Sequence, residues 1–124
     1  MAKALVVDDS RAVRMILSGI LKKLGFEVSQ AANGREALEM LEAQPSAVSL
    51  VLADWNMPEM NGLELVKQLR QKRELDSTVV VMVTTETEME QMAAALEAGA
   101  NEYVMKPFTQ DILVEKLQLA GVQL

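Results

Sequence analysis

Asp8, Asp9 and Asp54 are the residues whose surroundings best equip them to do chemistry. Leu5-Val6-Val7 runs directly into Asp8-Asp9, and Val48-Ser49-Leu50-Val51-Leu52-Ala53 runs directly into Asp54. Both runs have the length and β-branched content of buried strands. In an open parallel sheet, ligands bind in the crevice beyond the carboxyl ends of the strands. Three carboxylates converging there repel one another unless a cation shares the site. An all-oxygen donor set suits a hard divalent ion, Mg²⁺ or Mn²⁺. In an Asp-Asp pair one acid can bind such an ion directly and the other through its water shell. A carboxylate is also a nucleophile towards a phosphoryl group, giving an acyl phosphate. That transfer asks mainly for positioning and for cations against the developing charge. Plainer readings stand beside these. Asp8-Asp9 also suits the start of a helix, which favours negative charge, and Asp54 also suits a residue entering a turn.

Further candidates end other predicted strands. Lys106 precedes Pro107, which restricts it to extended conformations and can hold its charge at the site. It can equally be a solvated turn lysine. A cis Lys106–Pro107 bond is open, at the low base rate of X–Pro bonds. Thr84 ends the strand between those carrying Asp54 and Lys106, and its hydroxyl can donate to a phosphoryl oxygen. It can also be an ordinary β-branched strand residue. Tyr103, the sole tyrosine, has an apolar body and a polar tip, so its ring can report a shift of Thr84 or simply half-fill a strand site. Trp55 beside Asp54 provides a fluorescence probe.

The elements that must position these groups alternate along the chain. Strands are predicted over 3–7, 26–31, 48–53, 78–83 and 101–105. Between them, apolar residues recur at helical spacing. Ser10 is the expected N-cap of the first helix and Gly25 its stop. Asn33 with Glu36, and Thr87 with Glu90, have the spacing of capping boxes. Pro45, Pro58 and Asn61-Gly62 mark turns, and Thr109 is the expected cap of a last helix through Leu119. Five strands and five helices in strict βα order predict a parallel sheet covered on both faces, in one of a few doubly wound forms.

Composition narrows the chemistry. The 124 residues suit one domain able to bury a core, and 50% of them are apolar, which excludes a disordered chain. There is no cysteine and no histidine, which excludes a disulfide scaffold, thiolate catalysis, the usual zinc sites and histidine acid–base catalysis. A net charge of −6 argues against nucleic acid as a partner. No apolar run is long enough to cross a membrane, and a cytoplasmic location is the expectation.

Asp8-Asp9, Asp54, Thr84 and Lys106-Pro107, in that order on the expected elements, resemble the signature set of bacterial two-component response-regulator receiver domains. The likeness runs through Asp54-Trp-Asn-Met-Pro-Glu-Met-Asn-Gly-Leu-Glu-Leu and Tyr103-Val-Met-Lys-Pro-Phe-Thr. It covers essentially the whole chain and is strongest to the stand-alone chemotaxis members. The resemblance implies an α/β, flavodoxin-like (βα)5 three-layer sandwich with strand order 2-1-3-4-5, one receiver over 1–124 with no output domain. It implies that Asp54 accepts a phosphoryl group from a sensor histidine kinase or phosphotransfer protein. Asp8, Asp9, Asp54 and the backbone carbonyl of Asn56 would hold Mg²⁺. Lys106 would contact the phosphoryl group across a cis Lys106–Pro107 bond, Thr84 would swing towards it and Tyr103 would turn inward. The surface of helix 4, strand 5 and helix 5 would then change its preference for a protein target. Asn56 and Glu86 match positions tied to fast loss of the phosphoryl group. Thr85 departs from the usual Ala or Gly, and its bulk beside the pocket is expected to slow water or exclude small donors. Glu86, Glu88 and Glu90 make the start of helix 4 more acidic than in chemotaxis relatives. The other readings are a receiver cut from a larger transcriptional regulator, and a small Asp-nucleophile phosphohydrolase. Such hydrolases place the nucleophile after the first strand in an Asp-x-Asp pattern, where this chain has Asp-Asp-Ser.

Overall fold

Short apolar runs, buried almost without interruption, build a sheet with two apolar faces. A computed structural model describes residues 2–44, 47–85 and 90–124. The elements follow as β1 (Lys3–Val7), α1 (Arg11–Lys23), β2 (Glu27–Ala31), α2 (Gly34–Ala43), β3 (Leu50–Asp54), α3 (Gly62–Arg70), β4 (Val79–Thr84), α4 (Met92–Ala98), β5 (Glu102–Met105) and α5 (Gln110–Leu119). A 3-10 turn at Arg73–Leu75 was not anticipated. The five strands are parallel, in the order β2-β1-β3-β4-β5. This is the flavodoxin-like arrangement that the resemblance implied.

Each strand sends alternate side chains to opposite cores. Leu5, Val7, Val51, Ala53, Val80 and Met82 pack with apolar residues of α2, α3 and α4. Val6, Leu52, Val81, Val83 and Val104 pack with Leu17 and Leu21 of α1 and Leu113 and Leu117 of α5. Covered on both sides, β3 is buried throughout, which is why its sequence is continuously apolar rather than alternating. The edge strand β2 is mostly exposed and correspondingly polar.

Several local signals act as expected. Ser10 caps α1, its Oγ accepting from Val13 N, and Gly25 follows the helix at φ +98°. Thr109 caps α5 through Ile112 N. Asn33 accepts from Glu36 N, which is half of the expected capping box. The complete box lies instead at Asn61 and Glu64, whose side chains and backbone amides bond reciprocally. Thr87 and Pro45 lie outside the described residues, and α4 has Gln91 at its N-cap with no side-chain bond.

Four of the five strands begin later than predicted, β2, β4 and β5 by one residue and β3 by two. Leu50 is the first β3 residue paired with β1. Val48 is drawn into a bond from Thr78 Oγ1 (3.0 Å), and Ser49 Oγ donates to Lys3 O (3.1 Å). β3 also runs one residue further, so Asp54 is a ladder residue opposite Val83.

Arg70 is a structural residue that periodicity could not reveal. From the last turn of α3 it donates to Gly99 O (3.0 Å), Leu75 O (2.8 Å), Thr78 O (2.8 Å) and Asn101 Oδ1 (3.0 Å). One guanidinium thus ties together the segments entering β4 and β5. Because a hydrogen bond involving a charged group contributes about 1.5–3 kcal/mol net of water, and the four carbonyl acceptors can partly rehydrate when the side chain is removed, Arg70→Ala is expected to cost about 3 kcal/mol in urea unfolding. A loss below about 1 kcal/mol would show that water substitutes for the side chain.

Candidate functional site

The carboxyl end of the sheet gathers residues from three strands. Asp8 follows β1, Asp54 closes β3 and Lys106 follows β5. Asp8 and Asp54 are 1% and 6% exposed, so neither charge is well solvated. Lys106 Nζ answers both, at 3.2 Å from Asp8 Oδ2 and 3.3 Å from Asp54 Oδ1. Two carboxylates, 98 and 52 positions from Lys106 in the chain, therefore share its ammonium.

The surrounding backbone fixes these groups. Asp8 Oδ1 accepts from Ser10 N at 2.8 Å, so the helix cap and the acid are locked together. Arg14, one turn into α1, donates to Asp8 O at 2.6 Å and to Gln30 Oε1 at 3.3 Å. The sequence reading missed Arg14; its only signal was a cation on the site-facing turn after the cap. Gly62 opens α3 against the end of β3, where a Cβ would lie 2.6 Å from Asp54 O and 3.0 Å from Trp55 Cα. Its amide donates to Trp55 O at 2.8 Å. The capping box at Asn61 and the bare Gly62 together hold the loop that leaves Asp54. Met57, 7% exposed, anchors that loop in the core.

Asp9 is exposed, whereas Asp8 and Asp54 are buried, and the three can each present a ligand oxygen with all of these atoms within 4.8 Å of one another. Chemically the set fits a hard divalent ion that keeps part of its water shell: oxygen donors only, with one acid facing solvent. Asn56 is exposed, in the loop two residues beyond Asp54.

Thr84, fully buried at the end of β4, donates through Oγ1 to Thr85 O at 3.2 Å. Its own carbonyl accepts from Lys106 N at 2.6 Å, so Thr84 and Lys106 are joined through the backbone. The Lys106–Pro107 peptide is cis. Tyr103 is half-buried on β5. Glu86 lies outside the described residues. Beside Lys106 an apolar groove of about 260 Å³ runs between Val13 and Ile16 of α1 and Pro107 and Phe108; the sequence reading did not foresee it.

Burial alone would lower the Lys106 pKa, but the carboxylates of Asp54 and Asp8 outweigh that and leave it above the ordinary lysine value. Because the folded value is the raised one, the stability it contributes is complete below the unfolded lysine pKa of about 10.4 and is lost as pH rises through the folded value. With divalent metal chelated, the stability gap between the native chain and Lys106→Met is therefore expected to stay constant from about pH 7, where both carboxylates are ionised, to about pH 10 and to shrink above it. A gap that closes below about pH 9 in urea titrations would place the ammonium outside the carboxylate pair.

The sequence profile of the family described as "Response regulator receiver domain" matches residues 4–118. The chain is 45% identical over 118 residues to chemotaxis protein CheY1 of Helicobacter pylori, covering 94% of each. It is 45% identical over 117 residues to a chemotaxis protein CheY homolog of Campylobacter jejuni, covering 94% of this chain and 89% of that one. Among solved structures, chemotaxis response regulator CheY4 of Vibrio cholerae superposes with a TM-score of 0.86 at 40% identity, over 97% of this chain and 98% of that one.

Proposed function

Because this chain belongs to the response regulator receiver family, we propose that Asp54 is the residue on which it accepts a phosphoryl group. It is a CheY-like receiver, a domain of phosphorylation-dependent signalling. One observation carries the assignment of the acceptor. Asp54 is a buried carboxylate at a strand end, ion-paired to Lys106 and within reach of a cation shared with Asp8 and Asp9.

The chemistry follows from these groups. An oxygen of Asp54 attacks phosphorus, the bond from phosphorus to the donor breaks, and an acyl phosphate remains on the side chain. With a phosphohistidine donor, the leaving group is the imidazole of a sensor kinase or phosphotransfer protein. Asp8, Asp9, Asp54 and the Asn56 carbonyl would hold Mg²⁺ or Mn²⁺, with Asp8 acting partly through water. A bound divalent ion supplies positive charge against the transferring group. Lys106 gives up its Asp54 oxygen and turns its ammonium to a phosphoryl oxygen. Thr84 exchanges its bond to the Thr85 carbonyl for one to the phosphoryl group. Thr85, next to Thr84 after β4, slows the approach of water and of small donors such as acetyl phosphate without excluding them.

Movement of Thr84 frees space that Tyr103 enters, and the face of α4, β5 and α5 changes its preference for a protein target. In energetic terms one modification biases a two-state equilibrium. Asn56 and Glu86 would tune the attack of water that ends the signal. This reading implies a cytoplasmic site of action and a stoichiometric switch rather than turnover of phosphate esters.

The reading is tested by following Trp55 fluorescence during addition of beryllofluoride with Mg²⁺. A saturable change at one equivalent per chain is expected. Multiple turnover of several phosphate esters, with no such change, would instead support a phosphohydrolase.

A further inference from the structure

We infer that Lys116, anchored by Glu102, holds the Tyr103 ring in its resting orientation and thereby sets how far a signal at Asp54 is converted into a changed surface. This inference rests on the reading of Asp54 and Tyr103 given above.

Lys116 lies on α5 between the buried Leu113 and Leu117, which fix the helix against the sheet. Its Nζ stands 4.9 Å from the centroid of the Tyr103 ring, inside the range of about 6 Å at which an ammonium is held by a ring face. The same Nζ is 3.9 Å from Glu102 Oε1, and that oxygen also accepts from Tyr103 N at 3.0 Å. One carboxylate oxygen therefore binds the tyrosine backbone and steers the cation above the tyrosine ring. The Lys116 and Glu102 side chains are only 29% and 21% exposed, so solvent and salt screen the cluster incompletely.

A ring that turns inward leaves the ammonium behind. The interaction is thus present in the resting conformer and forfeited in the switched one. A contact of this type changes the ratio of two conformers by about two- to fivefold. Lys116 is accordingly a positioning residue: it acts on Tyr103, and its ion pair is with Glu102 rather than with Asp8, Asp9 or Asp54.

The chain has one tyrosine, so ¹³C-labelled tyrosine gives a single ring spin system in NMR. The experiment titrates beryllofluoride with Mg²⁺ into the native chain, Lys116→Met and Lys116→Arg. In Lys116→Met the ligand-free ring resonance is expected to move towards the position it takes in the beryllofluoride-bound native chain. The titration midpoint should fall by about two- to fivefold. Lys116→Arg, which keeps the cation, should match the native chain, and Mg²⁺ titrations read at Trp55 should match in all three. Identical resonances and midpoints in Lys116→Met and the native chain would overturn the inference, as would Lys116→Arg behaving like Lys116→Met. If beryllofluoride leaves the native Tyr103 resonance unmoved, the role given to Tyr103 under the proposed function fails first, which separates that failure from failure of the Lys116 contact alone.

Discussion

Asp54→Asn is expected to abolish phosphoryl uptake from acetyl phosphate with Mg²⁺, lowering the rate by at least about three orders of magnitude. The physical reason is specific to the side chain. A carboxylate oxygen can form and hold an acyl phosphate; an amide of the same shape cannot. The substitution also leaves Lys106 with Asp8 alone, since the ammonium now divides itself between Asp8 and Asp54. The fold should survive, because the other β3 residues, Leu50 to Ala53, are untouched and fully buried. Circular dichroism and urea unfolding check that point, while intact mass measures uptake. Retained uptake in a folded Asp54→Asn chain would move the acceptor to another residue.

Lys106→Met is expected to tighten Mg²⁺ binding by about tenfold or more, read as the midpoint of a Trp55 fluorescence titration. The ammonium already neutralises the carboxylate pair that a divalent ion would use. Two unit charges about 4 Å apart interact by about 4 kcal/mol at an effective dielectric of 20. Water at the open mouth reduces that figure, and a tenfold change needs only about 1.4 kcal/mol. The same substitution should cost on the order of 3 kcal/mol of stability in chelator, because two buried carboxylates lose their counter-charge. Excess Mg²⁺ should recover much of that loss by binding the folded state. Unchanged or weaker Mg²⁺ binding would show that lysine and metal do not compete for the same oxygens.

The strand ends were the most legible part of this molecule. Leu5-Val6-Val7 and Leu50-Val51-Leu52-Ala53 are apolar on both faces because helices cover both faces, so each run announces a buried strand and places the acid after it. Convergence of Asp8, Asp9 and Asp54 followed from that topology, and the sheet's carboxyl end does gather them. Strand order was available only through the family resemblance, since periodicity carries no information on which strands are neighbours.

Other features were illegible for identifiable reasons. Arg70 makes its bonds to backbone carbonyls and to Asn101, up to 31 residues away; carbonyls have no sequence identity to pattern against. Arg14 reaches the Asp8 carbonyl for the same reason. The starts of β3 and β4 were set by where partner strands begin, not by the apolar content of Val48 or Thr78. The ammonium of Lys116 over Tyr103 depends on how α5 packs against an edge strand, which no spacing along the chain encodes.

The central claim is that one oxygen of Asp54, held among acids that share a cation, forms a bond to phosphorus. Its most direct test is mass spectrometry of the native chain after acetyl phosphate and Mg²⁺, with digestion at low pH to preserve an acyl phosphate. The account predicts one phosphoryl group per chain, absent in chelator, labile to hydroxylamine and confined to the peptide containing Asp54. Modification of a hydroxyl residue, or none at any Mg²⁺ concentration, would contradict it.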